Sequence, residues 1–284
     1  MSVNNFIPAV WSAQLLKFLP KMSVYSQVAN RDYEGEIKDM GDQVKINSVG
    51  AVTIKAFTKN TNIAAADDLT DAQKILLINQ GNYFNFQVDD VDKTQTKPKV
   101  IGEATENAAA GLADAADVYI AGLYAGADAG NVIGEVGTPK TISAAADAYN
   151  YLVDMATILD ESNTPKIGRW VIVPSWFHGL LLKDNRFVQA GTDTNTNILF
   201  VGVVGKAAGF NIYVSNNVPK ATATTEFKIQ AGYAGTLSYA EQILFVEAYR
   251  PELRFADAIK GLHVYGAKLV RPSTMAVLII NRPA

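Results

Sequence analysis

The chain has 284 residues with 25 Lys and Arg against 28 Asp and Glu, a formal net charge of −3, and 49% hydrophobic residues. That length buries one large core or two modest ones, and the weak acidity argues against a general nucleic-acid binder, which carries a clustered basic patch. Cys is absent, which removes disulfides, thiolate nucleophiles and Cys-ligated metals and is compatible with a reducing compartment. No apolar run is long enough for a membrane-spanning helix, and the first residues lack the basic-then-apolar order of a secretory leader.

Residues 1–40 open with FIPAVWSAQLLKFLP. Pro8 suits a first helical turn, Trp11, Leu15, Phe18 and Leu19 form a stripe, and Pro20 ends it. Two readings stay open: a helix packed on its own domain, or an arm laid on a neighbour. The polar SVYSQVANRDYEGEIKDMGD that follows reads as a tether.

In residues 41–93, Val44, Ile46, Val52 and Ile54 alternate with polar residues, as do Phe84, Phe86 and Val88. Between these half-buried strands lies the polar stretch Thr58 to Lys74, long for a structureless loop in a compact domain. A projecting two-stranded arm is expected, and since an isolated hairpin is marginal in water it needs a partner surface.

Lys97 to Ala127 predicts one long helix, entered through Pro98 and ended by Gly126 and Gly130. Ile101, Ala104, Ala108, Leu112, Ala115 and Tyr119 share one face; Glu103, Glu106, Asp114 and Asp117 fall together on the opposite one. Eleven alanines between Ala104 and Ala129 favour the helix but leave a thin apolar edge. The element reads as a strut with one packed side and one acidic side, either simply solvated or facing something negative.

After the turn-rich NVIGEVGTPKTIS, Ser143 caps a helix through Asp147 to Glu161, with Ala148, Tyr151, Leu152, Met155 and Leu159 on its face. The pattern then alternates: RWVIVP a buried strand, SWFHGLLLKD a short helix, GFNIYVSNNVP and FKIQAGY strands, SYAEQI a helical turn. LFVEAYRPELRFADAIKGLHVYGAKLV and TMAVLIIN close the chain as extended segments.

Candidate chemistry is sparse. Gly202 to Lys206 approaches a phosphate loop, but Phe200 stands where Gly is needed and Ala207 where Ser or Thr is needed, so a turn is expected. Asp89, Asp90 and Asp92 lack the spacing, central Gly and closing Glu of a calcium loop. Ser175 and His178 share a helical face without a nucleophile elbow or an acid to orient the His, and His263 has no local partner. No catalytic, cofactor or metal site is expected.

Taken in order, an N-terminal arm, an extended β-arm (GDQVKINSVGAVTIKAFTKNT to NYFNFQVDDVDK), an Ala-rich spine helix and an α/β region resemble the major capsid protein of tailed bacteriophages, the Hong Kong 97-type fold. FIPAVWSAQLLKFLPK, NRDYEGEI, GFNIYVSNNVP and GLHVYGAKLVRP are the segments most similar to that family. The resemblance implies an α+β fold with an N-terminal arm at 1–40, an extended β-arm (E-loop) at 41–93, a peripheral domain with the spine helix at 94–140, an axial domain at 141–242 and C-terminal peripheral strands at 243–284. It implies a shell subunit, not an enzyme, that assembles in the host cytoplasm into pentamers and hexamers of an icosahedral head around double-stranded DNA. Val44, Ile46, Val52, Ile54, Phe57, Lys59, Phe84 and Phe86 would make intersubunit arm contacts, and Trp11, Leu15 and Phe18 those of the N-arm. The acidic stripe of Glu103, Glu106, Asp114 and Asp117 would face the lumen, where like charge limits adhesion of DNA. Lacking the N-terminal scaffolding segment of some relatives, the chain implies a separate scaffolding protein, with a portal protein and decoration proteins as further partners and no membrane. Lys55 and Lys59 lie in the arm, but no Asn or Glu matches the family's autocatalytic crosslink. A nanocompartment shell of the same fold and a soluble α/β hydrolytic enzyme are the rival readings.

Overall fold

The computed structural model describes residues 23–32, 43–49, 54–57, 59–60, 62, 71–89, 100–184, 203–221 and 225–283. Four α-helices are described, α1 (Tyr25–Val28), α2 (Val100–Ala121), α3 (Ala145–Glu161) and α4 (Ser175–Lys183). The strands are β1 (Gln43–Val49), β2 (Asp71–Leu77), β3 (Gln80–Asp89), β4 (Val132–Ile133), β5 (Arg169–Val173), β6 (Val203–Ala207), β7 (Phe210–Val214), β8 (Glu226–Tyr233), β9 (Leu237–Tyr249), β10 (Ala256–Leu269) and β11 (Ala276–Asn281). They form a two-stranded ribbon β1-β2, a three-stranded sheet β3-β10-β9 and a six-stranded sheet β4-β11-β8-β5-β7-β6.

The six-stranded sheet holds the main core. Every residue of β5 is buried, as is nearly all of β11, which matches their unbroken apolar runs. Helix α3 covers this sheet with Ala148, Leu152, Met155 and Leu159, all fully buried, while Tyr151 is half-buried. The helix starts where Asp147 Oδ2 accepts the Ser143 and Ala144 N–H groups, each at 2.9 Å, so the capping side chain is Asp147 and not Ser143. The final strand pairs antiparallel with β8 and parallel with β4.

In the three-stranded sheet β10 is central and antiparallel to both neighbours, with a bulge at Leu262/His263. SYAEQI lies inside β9, not in a helical turn: its Ala, Glu and Gln favour helix locally, but pairing with β10 along the strand overrides that preference.

Helix α2 lies on one face of this sheet and ends in a 3₁₀ turn, Gly122–Gly126, short of the expected Ala127. Among its described side chains the buried row is Thr105, Ala109, Leu112, Ala113, Ala116, Asp117, Ile120 and Ala121, rotated by about one position from the expected row, with Leu112 the described residue in common. An alanine-rich surface gives no size gradient by which a sequence could orient it.

Candidate functional site

The described residues offer surfaces more than pockets for chemistry. The ribbon β1-β2 is the arm, but its strands differ from those expected. The partner of β1 is β2, paired from Gln43↔Leu77 to Val49↔Asp71, inside the stretch read as loop and beyond it. Polar Asp71, Gln73 and Lys74 disguise a strand whose apolar residues crowd its end. Phe84 and Phe86 belong to β3 in the three-stranded sheet, not to the arm. Phe84 packs on Ala109, Leu112 and Ala113 of α2 and stacks on Phe86 with ring centroids 5.8 Å apart. These two phenylalanines therefore pack within their own subunit.

Among the described residues, the arm is anchored at its root. Ile46, Leu76 and Ile78 bury against Ala240 and Val264 on the sheet face opposite α2, and Lys74 Nζ donates to the Val270 carbonyl. Farther out, Ile54 is 95% exposed and Phe57 78%, and Lys59 is exposed. Leaving one such side chain in water forgoes about 1.5–3 kcal/mol of burial. Val52 and the side chain of Val44 lie outside the described residues, as do Trp11, Leu15 and Phe18.

A second projecting surface escaped the sequence reading. At the connection between β9 and β10, Leu253 is 96% exposed and Phe255 84%. Exposed apolar residues on a hairpin end were the available signal, in RPELRFAD.

The acidic stripe is only partly a stripe. Glu106 and Asp114 are exposed on α2; the side chain of Glu103 lies outside the described residues. Asp117 is 2% exposed, so its place on an exposed acidic face is corrected. Its carboxylate accepts the Ser23 hydroxyl, the Tyr25 N–H at 2.7 Å, and Asn217 Nδ2 at 3.1 Å. Asn217 Nδ2 also reaches Asp114 Oδ1 at 2.7 Å. Asp117 thus joins three distant segments: the N-terminal root, the helix and the turn after β7. Burial raises its pKa, and the donated hydrogen bonds offset only part of that rise.

His263 also finds its partner through tertiary structure. It is fully buried, stacked on Tyr265 at 5.1 Å, with Nε2 3.2 Å from Glu241 Oε2 on the neighbouring strand. Tyr239 donates its hydroxyl to the same carboxylate, and Arg31 forms an ion pair with it. Burial pushes the Glu241 carboxyl up, but the His263 and Tyr239 hydrogen bonds and the Arg31 charge outweigh it, holding the group below its usual value. The Asn30 N–H donates to the Leu237 carbonyl and the Asn30 carbonyl accepts the Tyr239 N–H, so the N-terminal root is stitched to β9.

The chemical candidates do not converge. Ser175 Oγ meets Asn216 Oδ1 at 3.0 Å, while His178 Nε2 is buried without a hydrogen-bond partner and burial lowers the ring's pKa. Gly205 and Lys206 lie in β6, and the strand returns through Ala208 and Gly209, both at positive φ, as β7. Asp90 and Asp92 lie outside the described residues. Among the described residues no group of three or more His, Cys, Asp or Glu could hold a metal ion, and no helix is long and apolar enough to cross a membrane.

A profile of the family described as phage capsid protein matches residues 74–278. Among solved structures, the chain is similar to a protein of Mycobacterium phage Che8, at 30% identity over 90% of each chain with a TM-score of 0.72. It is similar to the capsid of cyanophage P-SCSP1u at 15% identity, covering 93% of this chain and 89% of that one, with a TM-score of 0.71. The virus-like particle from Pyrococcus furiosus shares 13% identity over 96% of this chain and 99% of its own, with a TM-score of 0.58. The last two similarities are of fold alone. A comparison with curated proteins finds no match.

Proposed function

The chain belongs to the phage capsid protein family, and from that premise we propose how it builds a head. It is a major capsid protein with the fold of tailed-phage capsids. Copies join head to tail into pentamers and hexamers that close an icosahedral shell around double-stranded DNA. The observation that carries this is the arm: its root is buried on its own subunit, while Ile54 and Phe57 stand in water. Such a ribbon is covered only when a neighbouring copy receives it.

The N-terminal segment beyond Ser23 reaches an adjacent subunit, while residues 141–242 turn toward the capsomer centre. Glu106 and Asp114 line the lumen and limit adhesion of DNA; neutralising both to Gln and Asn should increase retained DNA or misassembly, and no change in either contradicts this role. The subunit acts without catalysis, a reading supported by Ser175 bonding Asn216 instead of His178. A separate scaffolding protein and a portal assist assembly in the host cytoplasm.

The register Val49↔Asp71 locates the test. Replacing residues 50–70 by a short turn should leave a soluble, folded subunit that forms no closed shells; normal shells overturn the proposal. A nanocompartment shell of the same fold is the second reading, since the fold shared with a virus-like particle from Pyrococcus furiosus is compatible with a shell of either content. Protein cargo in purified particles in place of DNA would establish it.

A further inference from the structure

The arm leaves the subunit at one unusually close backbone contact. A Cβ added at Gly266 in β10 would lie 2.3 Å from the Leu77 carbonyl oxygen and 2.9 Å from Ile78 Cδ1. The first atom is backbone and cannot rotate away, so only glycine lets the end of β2 rest on β10 at this depth. Around this seat the root residues Leu76 and Ile78 are fully buried. Beside this seat lies the opposite condition: an open groove of about 720 Å³ between Ile75 and Leu77 of the arm, Lys268 and Leu269 at the end of β10, and Ala125 and Gly126 at the end of the spine helix. Ile75 is 37% and Leu77 45% exposed there.

We propose that Gly266 is the pivot of the arm and that this groove is its clearance. The inference rests on the reading that the arm docks on a neighbouring copy. A single sequence that fills both five-fold and six-fold rings must present its arm at more than one angle. A tight seat with open space beside it permits a turn about the Leu77–Ile78 backbone without unfolding the β1-β2 ladder. The small residues at the end of the spine helix keep that space open, and Lys74 holds the Val270 carbonyl as the tether across it.

Two substitutions test the two halves of the device. Gly266→Ala must push β2 outward by about 1 Å to restore ordinary contact; over one strand spacing and a seven-residue arm this becomes about 5 Å at the tip. Ala125→Trp fills the groove and leaves the seat intact. Because the chain has no Cys, spin labels at Lys59→Cys and Glu161→Cys read the arm angle in otherwise unmodified protein. In free subunits Gly266→Ala should shift the mean label distance by about 5 Å, and Ala125→Trp should narrow its spread. Both should give open or irregular shells by electron microscopy. The control Gly111→Ala, with no atom within 4 Å of the added Cβ, should change neither. Unchanged label distances, or normal closed shells from both variants, overturn the pivot. The parent reading fails separately: shells that form without residues 50–70 remove the docking arm itself.

Discussion

Leu76→Ala isolates the attachment of the arm from the stability of the body. Leu76 is fully buried in a small cluster with Ile46, Ile78, Ala240 and Val264, apart from the main core. A Leu→Ala change in a packed site costs about 2–5 kcal/mol. A two-stranded ribbon is marginal without its packing surface, so the loss falls on docking of the arm and not on the six-stranded sheet. At 1.36 kcal/mol per tenfold, amide exchange in β1 and β2 should accelerate by roughly 30-fold to several thousand-fold. Amides of β5, β8 and β11 should keep their wild-type rates. Hydrogen exchange read by mass spectrometry on the free subunit resolves these segments. Equal acceleration throughout the chain would mean that the root cluster is continuous with the main core; no acceleration in the ribbon would mean that the cluster does not anchor it. Either result refutes the reasoning.

The two buried carboxylates give opposite pH signatures. Glu241 has a lowered folded pKa, so its stabilisation is present above the unfolded value and lost as pH falls through the folded one. Glu241→Gln should therefore cost about 3–5 kcal/mol near neutrality, with the difference from wild type shrinking in acid; a deficit constant across pH contradicts the ion-pair account. Asp117 has a raised folded pKa, so its ionised form detracts from stability near neutrality, and the penalty is relieved as pH falls through the folded value toward the unfolded one. Asp117→Asn should flatten that acid-side gain in Tm, and an unchanged Tm-versus-pH slope contradicts the assignment. Leu253→Ser with Phe255→Ser removes two exposed apolar groups from the hairpin end. The double variant should keep the subunit's Tm and weaken assembly measured by light scattering; unimpaired assembly removes that surface from the interface.

What the sequence disclosed depended on side-chain size. Leu152, Met155 and Leu159 at helical spacing identified the buried face of α3, and the unbroken RWVIV run identified β5. Helix α2 was evident as a helix, yet its orientation was hidden because alanines fall on every side of it. The buried row followed Leu112 and Ile120 together with a carboxylate whose partners lie about a hundred residues away in sequence. No local pattern records such a contact. The arm was legible as an arm, but the position of β2 was not: its opening residues, Asp71 to Lys74, show no apolar alternation. Phe84 and Phe86 looked like arm residues through strand alternation, which reports that a face is buried and not what buries it. The same limit hid the sheet joined by β11, since periodicity carries no information about strand order.

The most direct measurement is a cryo-electron microscopy map of particles assembled from this chain, read at Ile54 and Phe57. The account predicts both side chains buried against a neighbouring copy while Leu76 and Ile78 remain seated on their own subunit. Density showing the arm folded back on its own body, with no contact to a second copy, contradicts it.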